Sequence, residues 1–460
     1  MSGLFGTLSV ALTGLSVSQQ EMETTSNNVA NANTPGYTRE VPVVTAGDPV
    51  QIGAESVGTG VVLEKIESLR DPMLQIQINQ STQENSSLNA ALSQLQQIQT
   101  QFASSTSGIG ADISNFFNSL QQLSPDPSNL TLRQGVLTAA NTLAVDFNTT
   151  AENLQTQRGN IDQNVVQTVT EVNSLTSQIA GVDQQISNLE SINPDPGALV
   201  DKRNNLIQQL SGLIDVQVIP TDQGITLATS NGTTLVSGAQ SLALTTAAGS
   251  DGVQHILAGG TDITSALAGG SLAGLVQIRD QEIPDISASL DQLAAGLATN
   301  LNTANAQGFD LNGNAGGNIF VPPPANGAGA AATLSVGITN PSLIAASSDG
   351  SAGSNGNLTV LSAVATTPLA GGQTPIDTYS TLVGQIGTTT SNTSADADSS
   401  ALILQQLQDQ NGSVSGVSLD EEAANLIQYQ NTYQAAARVV STVNLLLLDA
   451  VNLGMDSAEE

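Results

Sequence analysis

The residues able to do chemistry are few, and each sits where a structural role suffices. His255, the single histidine, lies in Val253-Gln254-His255-Ile256-Leu257. An imidazole can act as a base or a metal ligand, but strand alternation sets it opposite Ile256 as an ordinary strand residue. With no cysteine and no second histidine there is no thiolate nucleophile, disulfide, Cys-type zinc site or histidine cluster. Asp310-Leu311-Asn312-Gly313-Asn314 opens like a calcium loop, yet Ala315 stands where the sharp turn needs glycine and Val321 where a bidentate glutamate closes the shell. Gly58-Thr59-Gly60 lacks the third glycine of a dinucleotide fingerprint, and neither Lys65 nor Lys202 follows a phosphate-binding glycine loop. The sequence therefore predicts no catalytic residue, no cofactor and no metal, and a chain that is not an enzyme.

Charge excludes further classes. Forty acidic side chains against nine basic ones give a net charge of -31, which repels phosphate backbones and anionic lipid surfaces. Nucleic acid is not an expected partner. Membrane insertion is not expected either, because the best uninterrupted apolar run, Leu445 to Leu448, ends at Asp449, far short of the roughly 20 residues that span a bilayer. The first basic side chain is Arg39, so no Sec-type leader is visible, which leaves the cytoplasm or a leaderless export route.

What remains is architecture. The 460 residues suggest about three domains. Charged residues make up 11%, and seven Phe, four Tyr and no Trp exclude a thick aromatic core. Met1, Phe5, Leu8, Leu12, Leu15, Gln19, Met22, Ser26 and Val29 follow a 3-4 spacing, with seven of the nine apolar, which predicts a one-sided amphipathic helix. Asn31 and Asn33 suit its end, and Thr34-Pro35-Gly36-Tyr37 has Pro and Gly where a type II turn wants them. Extended chain follows to about Val62, then a long helix over 73–103.

A break at Ser124-Pro125-Asp126-Pro127 precedes a helix over 131–189. Its seam is Leu154, Arg158, Ile161, Val165, Thr168, Val172, Leu175, Ile179, Val182, Ile186 and Leu189. After Pro194-Asp195-Pro196-Gly197 comes another short helix, then alternating Val, Ile and Thr with turns at Asn231-Gly232 and Ser250-Asp251-Gly252. Near the C-terminus Ser418 and Glu421 make an S-x-x-E capping box. The seam there reads Leu419, Ala423, Leu426, Gln430, Tyr433, Ala437, Val440, Asn444, Leu447 and Val451. Tyr429 and Tyr433 are four apart and share one side of this helix.

The expected fold is α+β, elongated and multi-domain, with a long helical coiled coil or bundle built from both chain ends and smaller β-rich outer parts. The divisions run 1–70 for an N-terminal helix and extended segment, 71–212 for long helices and 213–265 for a small β domain. They continue with 266–307 for a returning helix, 308–410 for Gly/Ala/Asn-rich loops and short strands, and 411–460 for a C-terminal helix. A terminal helix with an apolar stripe cannot settle alone. The two ends can pair with each other or with neighbouring copies, and in a free monomer they are expected to fray.

Ala11-Leu12-Thr13-Gly14-Leu15 and the run from Ser26 to Arg39, SNNVANANTPGYTR, resemble the N-terminal signature of the flagellar axial family of rod, hook and hook-associated proteins. Within it Asn33 to Arg39 and Ser415 to Val440 are most similar to the hook-associated branch at the hook-filament junction. Leu199 to Val216, Gly269 to Arg279 and Gly308 to Gly313 are similar to segments of the same branch, so the resemblance touches most of the chain. It implies a structural subunit of the bacterial flagellum, exported unfolded by the flagellar type III apparatus without a cleaved signal peptide. It also implies an extracellular place at the junction, with terminal helices that order on assembly.

The implied partners are further copies in a ring, hook protein on one side, the next hook-associated protein on the other, and an export chaperone. The assembly interface expected from stripe and resemblance together is Leu8, Leu12, Leu15, Met22, Val29, Asn31, Asn33, Pro35, Gly36 and Tyr37 at one end. At the other it is Leu419, Leu426, Tyr433, Ala437, Val440 and Leu447. Two alternatives stand beside this reading: a hook or rod subunit, and, from another class, a secreted enzyme or glycan-binding protein with its site in 308–393.

Overall fold

The amphipathic stripe and the asparagine-rich stop of the first segment give helix α1 over Ser2–Asn31. Thr34 to Tyr37 then turn the chain: the Tyr37 amide donates to the Thr34 carbonyl at 3.1 Å, with Gly36 at a φ of 74°, as a type II turn requires. The computed structural model describes residues 2–52, 55–102, 108–190, 196–221 and 224–456. Met1 of the expected stripe and Pro194-Asp195 of the expected break lie outside them. Helix accounts for 66% of the structure and strand for 12%, so the fold is α+β and multi-domain as expected.

The chain divides into two compact units, one made of 1–82, 172–243 and 401–460, the other of 83–171 and 244–400. In the first, β1 (Glu40–Ala46) pairs antiparallel with β4 (Val61–Ser68), and β2 (Val50–Ile52) with β3 (Glu55–Val57). This ribbon lies on α1; two strands alone are marginal, and the helix supplies the apolar support they lack. Helix α2 (Pro72–Phe102) begins there. The unit also holds the C-terminal part of α4 (Leu130–Glu190) and all of α5 (Gly197–Leu213). A four-stranded sheet follows, ordered β5 (Gln217–Thr221), β6 (Gly224–Ala228), β7 (Thr234–Ser237), β8 (Gln240–Ser241). Asp183 of α4, almost fully buried, accepts from Arg203 of α5 at 2.6 Å and from the Ile225 amide of β6 at 3.0 Å, tying helix, helix and sheet together.

The second unit takes most of α2, then α3 (Ile109–Leu123) and the N-terminal part of α4. A three-stranded sheet follows, formed by β9 (Leu244–Ala248), β10 (Gln254–Ala258) and β11 (Thr261–Asp262). Helix α6 (Gly270–Gln277) then runs through a π turn over Ile278–Glu282 into α7 (Ile283–Ala306). The short α8 (Ala330–Thr333), α9 (Gly356–Ala363) and the first part of α10 (Pro375–Ser415) complete it. Phe116 of α3 sits 6.2 Å from Phe320, and Leu120, Phe147, Leu290, Leu297 and Leu361 are buried in the unit's core.

Two sequence expectations are corrected. The single β domain over 213–265 is two sheets, β5–β8 in one unit and β9–β11 in the other. Runs of Val and Thr signal strands but not which strands share a ladder, since partner choice depends on non-local packing. The segment 308–410, expected as loops and short strands, contains α9 and most of the 41-residue α10. Its Gly, Ala, Ser and Thr are small enough for a helix to lie close against its neighbours, as buried Thr390, Ala397 and Ser400 do, so low apolar volume there marks tight packing.

Candidate assembly site at the paired chain ends

Helix α11 (Leu419–Asp456) packs along α1, so the two chain ends are partners within one molecule. They run antiparallel: Asn28 meets Glu422 while Glu21 faces Tyr429. Ser418 caps α11, with its hydroxyl accepting from the Glu421 amide at 3.5 Å. The Glu421 carboxylate, expected to close the capping box, meets Arg39 at 3.1 Å.

The segment from Asn27 to Glu40 is a polar knot. The Asn28 amide donates to the Glu40 carbonyl at 2.8 Å and to Glu422 at 3.3 Å, while its carbonyl oxygen accepts from the Tyr37 hydroxyl at 2.8 Å and the Glu40 amide at 3.0 Å. Arg39 Nε donates to Glu422 at 2.7 Å. Asp201 of α5 accepts from the backbone amide and hydroxyl of Thr38, both at 2.8 Å, and from Arg70 at 2.9 and 3.0 Å. The knot therefore joins α1, the ribbon, α5 and the start of α11.

Glycine is favoured at Gly36 for two reasons: its φ lies in the region that favours glycine, and a Cβ there would displace the Asn205 side-chain amide. Burial works against the Arg39 charge, but Glu421 and Glu422 more than offset it and hold the guanidinium above its ordinary value. Burial first, then the charges of Glu40, Asp201 and Glu422, push the Tyr37 phenol well above its usual range, so it stays a hydrogen-bond donor.

The structure brings together only part of the expected interface within the chain. Leu8, Leu15, Met22, Asn31 and Tyr37 on the N-terminal side and Leu426, Tyr433, Ala437, Val440 and Leu447 of α11 are half-buried. Asn33, Pro35 and Gly36 are exposed in the turn. Leu12, Val29 and Leu419 are also exposed, at 47%, 43% and 54%. Ala11, Val17, Ser18, Thr25 and Val443 are buried in their stead. On α11 the phase is shifted: Glu422 and Val443 are buried while Ala423, Gln430 and Asn444 are exposed. A pattern based on apolarity does not see a buried glutamate held by an arginine.

Where fraying is the expectation for a free monomer, this structure shows the two ends as a helix pair with one face covered. Its outer face is apolar: Phe5 and Leu12 on α1, and Ile427, Leu445, Leu446, Leu448 and Val451 on α11, are all exposed. No unbroken apolar run reaches spanning length, as expected, but one helical stretch meets the looser measure of mean hydropathy. A window within Pro375–Asn452 has mean hydropathy 1.3 and is enough, by length and composition, to cross a membrane, yet it is only 6% buried. Sequence reasoning missed Glu422, Asp201 and Arg70, whose partners lie too far along the chain for spacing to reveal.

The other chemical candidates resolve as structure. His255 lies between Asp262 at 2.6 Å and Asp251 at 3.1 Å, bracing the β9–β11 sheet. Asp310 accepts from the backbone amides of Asn312 and Asn314, closing its own turn. Among the described residues no group of three or more acidic or histidine side chains is placed to hold a metal.

Comparison with known proteins places this geometry. The profile of the flagellar hook-associated protein FlgK helical domain matches residues 95–320. That of the flagella basal body rod protein matches 8–38, and that of the flagellar basal body rod FlgEFG protein C-terminal region matches 410–453. Flagellar hook-associated protein 1 of Bacillus subtilis is 32% identical, with 99% of each chain covered. The protein of that name from Escherichia coli is 27% identical over 96% of this chain and 98% of its own. The structure of the flagellar hook junction protein FlgK from Burkholderia pseudomallei is similar in fold, with a TM-score of 0.67 at 19% identity, covering 74% of this chain and all of that one.

Proposed function

The chain belongs to the flagellar hook-associated protein 1 family, and from that membership we propose that it is a structural subunit of the bacterial flagellum at the hook-filament junction. It is exported by the flagellar type III apparatus to the cell exterior and assembled there. The observation that carries the reading is the α1–α11 pair with one face covered and the other apolar and bare. A buried leucine side chain contributes roughly 1.5–3 kcal/mol relative to an exposed one, so covering this face with further copies supplies binding energy at many repeated contacts.

The work is mechanical: copies arranged as a ring seat on hook protein on one side and receive the next hook-associated protein on the other, and no reaction is catalysed. An export chaperone is the natural cover for the same apolar face before export. The surface formed by Leu12, Val29 and Leu419 with its neighbours is the copy-to-copy contact, while the knot around Asn28 and Tyr37 holds each subunit's own ends in register.

Deleting the gene and imaging the cells tests this. Hooks without filaments, with unpolymerised flagellin in the medium, are expected. Normal filaments, or cells lacking hooks altogether, would sink the junction assignment, the latter in favour of a hook or rod subunit.

A further inference from the structure

One pair of carboxylates in the second unit is left without a counter-charge. Asp112 stands in the first turn of α3. It is 8% exposed, and its Oδ2 is buried with no hydrogen-bond partner. The carboxyl group that faces it is Asp146 of α4, half-buried and close enough for charge repulsion and a shared hydrogen bond. Burial and that neighbour raise Asp112 to about 6, so at neutral pH both groups are mostly ionised.

The unit's own cations do not answer them. Its basic side chains are Arg133, Arg158, His255 and Arg279. Arg133 donates to the carbonyls of Pro127 and Ile344, and Arg158 to the carbonyl of Arg279. Arg279 pairs with Asp162 and Asp280, and His255 with Asp251 and Asp262. A buried carboxylate with no donor and no opposite charge is costly enough that folded proteins pair it or neutralise it.

Neutral oxygens stand beside the pair. Asn115, one turn after Asp112, reaches the same carboxylate. Tyr379 of α10 lies against the start of α3, where a Cβ on Gly110 would strike its ring, and its phenol feels the charge of Asp146. Three helices thus bring two carboxylates, an amide and a phenol together. Oxygen donors select a hard cation, and two negative charges select a divalent one. Calcium suits the place better than magnesium, because it accepts irregular geometry and fills open positions with water, whereas magnesium demands a near-ideal octahedron.

We propose that Asp112 and Asp146, with the side-chain oxygens of Asn115 and Tyr379, bind a calcium ion that ties α3, α4 and α10 together. A third carboxylate is not needed, since two already balance the charge of the ion and water supplies the remaining ligands. The site belongs to the other unit from the α1–α11 pair, so it stands or falls independently of the assembly reading.

The test uses the full-length chain, stripped of metal with a chelator and melted at about pH 7.5 with and without about 5 mM CaCl2 at matched ionic strength, a concentration above the roughly 1 mM limit of weak extracellular calcium modules. Calcium is expected to raise the melting midpoint by about 3 °C or more. Asp112→Asn should melt above the original chain in the absence of calcium and show no response to it. No response in the original chain would overturn the proposal. So would an equal response in Asp112→Asn, because calcium would then only be screening the net charge of -31. Terbium, which takes calcium sites and emits when a nearby tyrosine is excited, locates the ion directly. Its emission should be displaced by CaCl2 and fall to near background in Tyr379→Phe; emission that survives this substitution would place the ion elsewhere and overturn the site.

Discussion

Asn28 and Glu422 share a hydrogen bond of 3.3 Å across 394 positions of sequence, and the same carboxylate takes Arg39 Nε at 2.7 Å. The Glu422 side chain is 2% exposed and that of Arg39 15%. A charge so buried is tolerated because Arg39 donates to one of its oxygens and Asn28 to the other; removing one member leaves the others without compensation.

Glu422→Gln should therefore weaken the seating of α11 on α1 by about 3 kcal/mol. Hydrogen exchange of the amides in 2–31 and 419–440 is the measurement, since local opening reports the pair directly. Glu421→Gln is the contrast: it touches the same arginine at 3.1 Å, but its side chain is 57% exposed, and its loss should cost under about 1 kcal/mol. Equal effects of the two would mean that burial is not what gives Glu422 its weight.

A second carboxylate is poised the opposite way. Asp112 of α3 is buried with one oxygen lacking a partner. Burial first, then Asp146 of α4, raises it from 3.8 to about 6. The native state then holds a proton that the unfolded chain releases, so this contribution is fully present below about pH 4 and is lost as pH climbs through 6. Asp112→Asn should raise stability at pH 7.5 by about 1–2 kcal/mol and leave it nearly unchanged at pH 4. Thermal melts of both chains across pH 4 to 8 check it, and parallel curves would refute it.

The seam of α4 was legible because its buried positions are mostly apolar: Leu154, Ile161, Val165, Val172, Leu175, Ile179, Val182 and Ile186 are all buried, whereas α1 buries Ser18, Thr24, Thr25 and Asn28 beside Ala11 and Val17 and leaves the expected Leu12 and Val29 exposed. Legibility fails where polar groups do the packing. On α11 the buried Glu422 stands one place from the expected Ala423, and Val443 one place from Asn444, because an ion pair set the rotation of the helix. The knot itself was visible only as a signature; that Thr38 and Arg70 converge on Asp201 depends on chain reversals that no local period encodes. In α10, small residues at close approach gave a composition indistinguishable from loop.

His255 offers a readout that needs no assignment, since the chain has one imidazole. Hydrogen bonds that its ring N–H groups donate to Asp262 and then to Asp251 raise its pKa, and Asp262 is itself held down at about 2, chiefly by the hydroxyl and amide of Thr264. The sheet-bracing contribution of the imidazolium is thus present below the ordinary histidine value and is lost as pH rises through the raised one. Asp262→Asn should move the imidazole proton resonance titration back towards about 6.5 and weaken that dependence, with Asp251 retaining part of it. An unchanged titration midpoint would show the contact to be absent in solution.

The two sides of the α1–α11 pair make different demands, and one substitution on each side separates them. Val443 is 4% exposed and covered within the chain, so Val443→Asp buries an unpaired charge, costs several kcal/mol and should release α11 from α1 in the free monomer. Leu12 is 47% exposed, so Leu12→Asp changes little in the monomer, within about 0.5 kcal/mol, yet puts a charge into the contact between copies. Circular dichroism melts of the purified chain and counts of incorporated copies in isolated hooks should divide the two variants: both fail to assemble, and only Val443→Asp loses helix. Loss of helix in Leu12→Asp would show that the outer face is already needed within one molecule, and the division of labour between the faces would have to be abandoned.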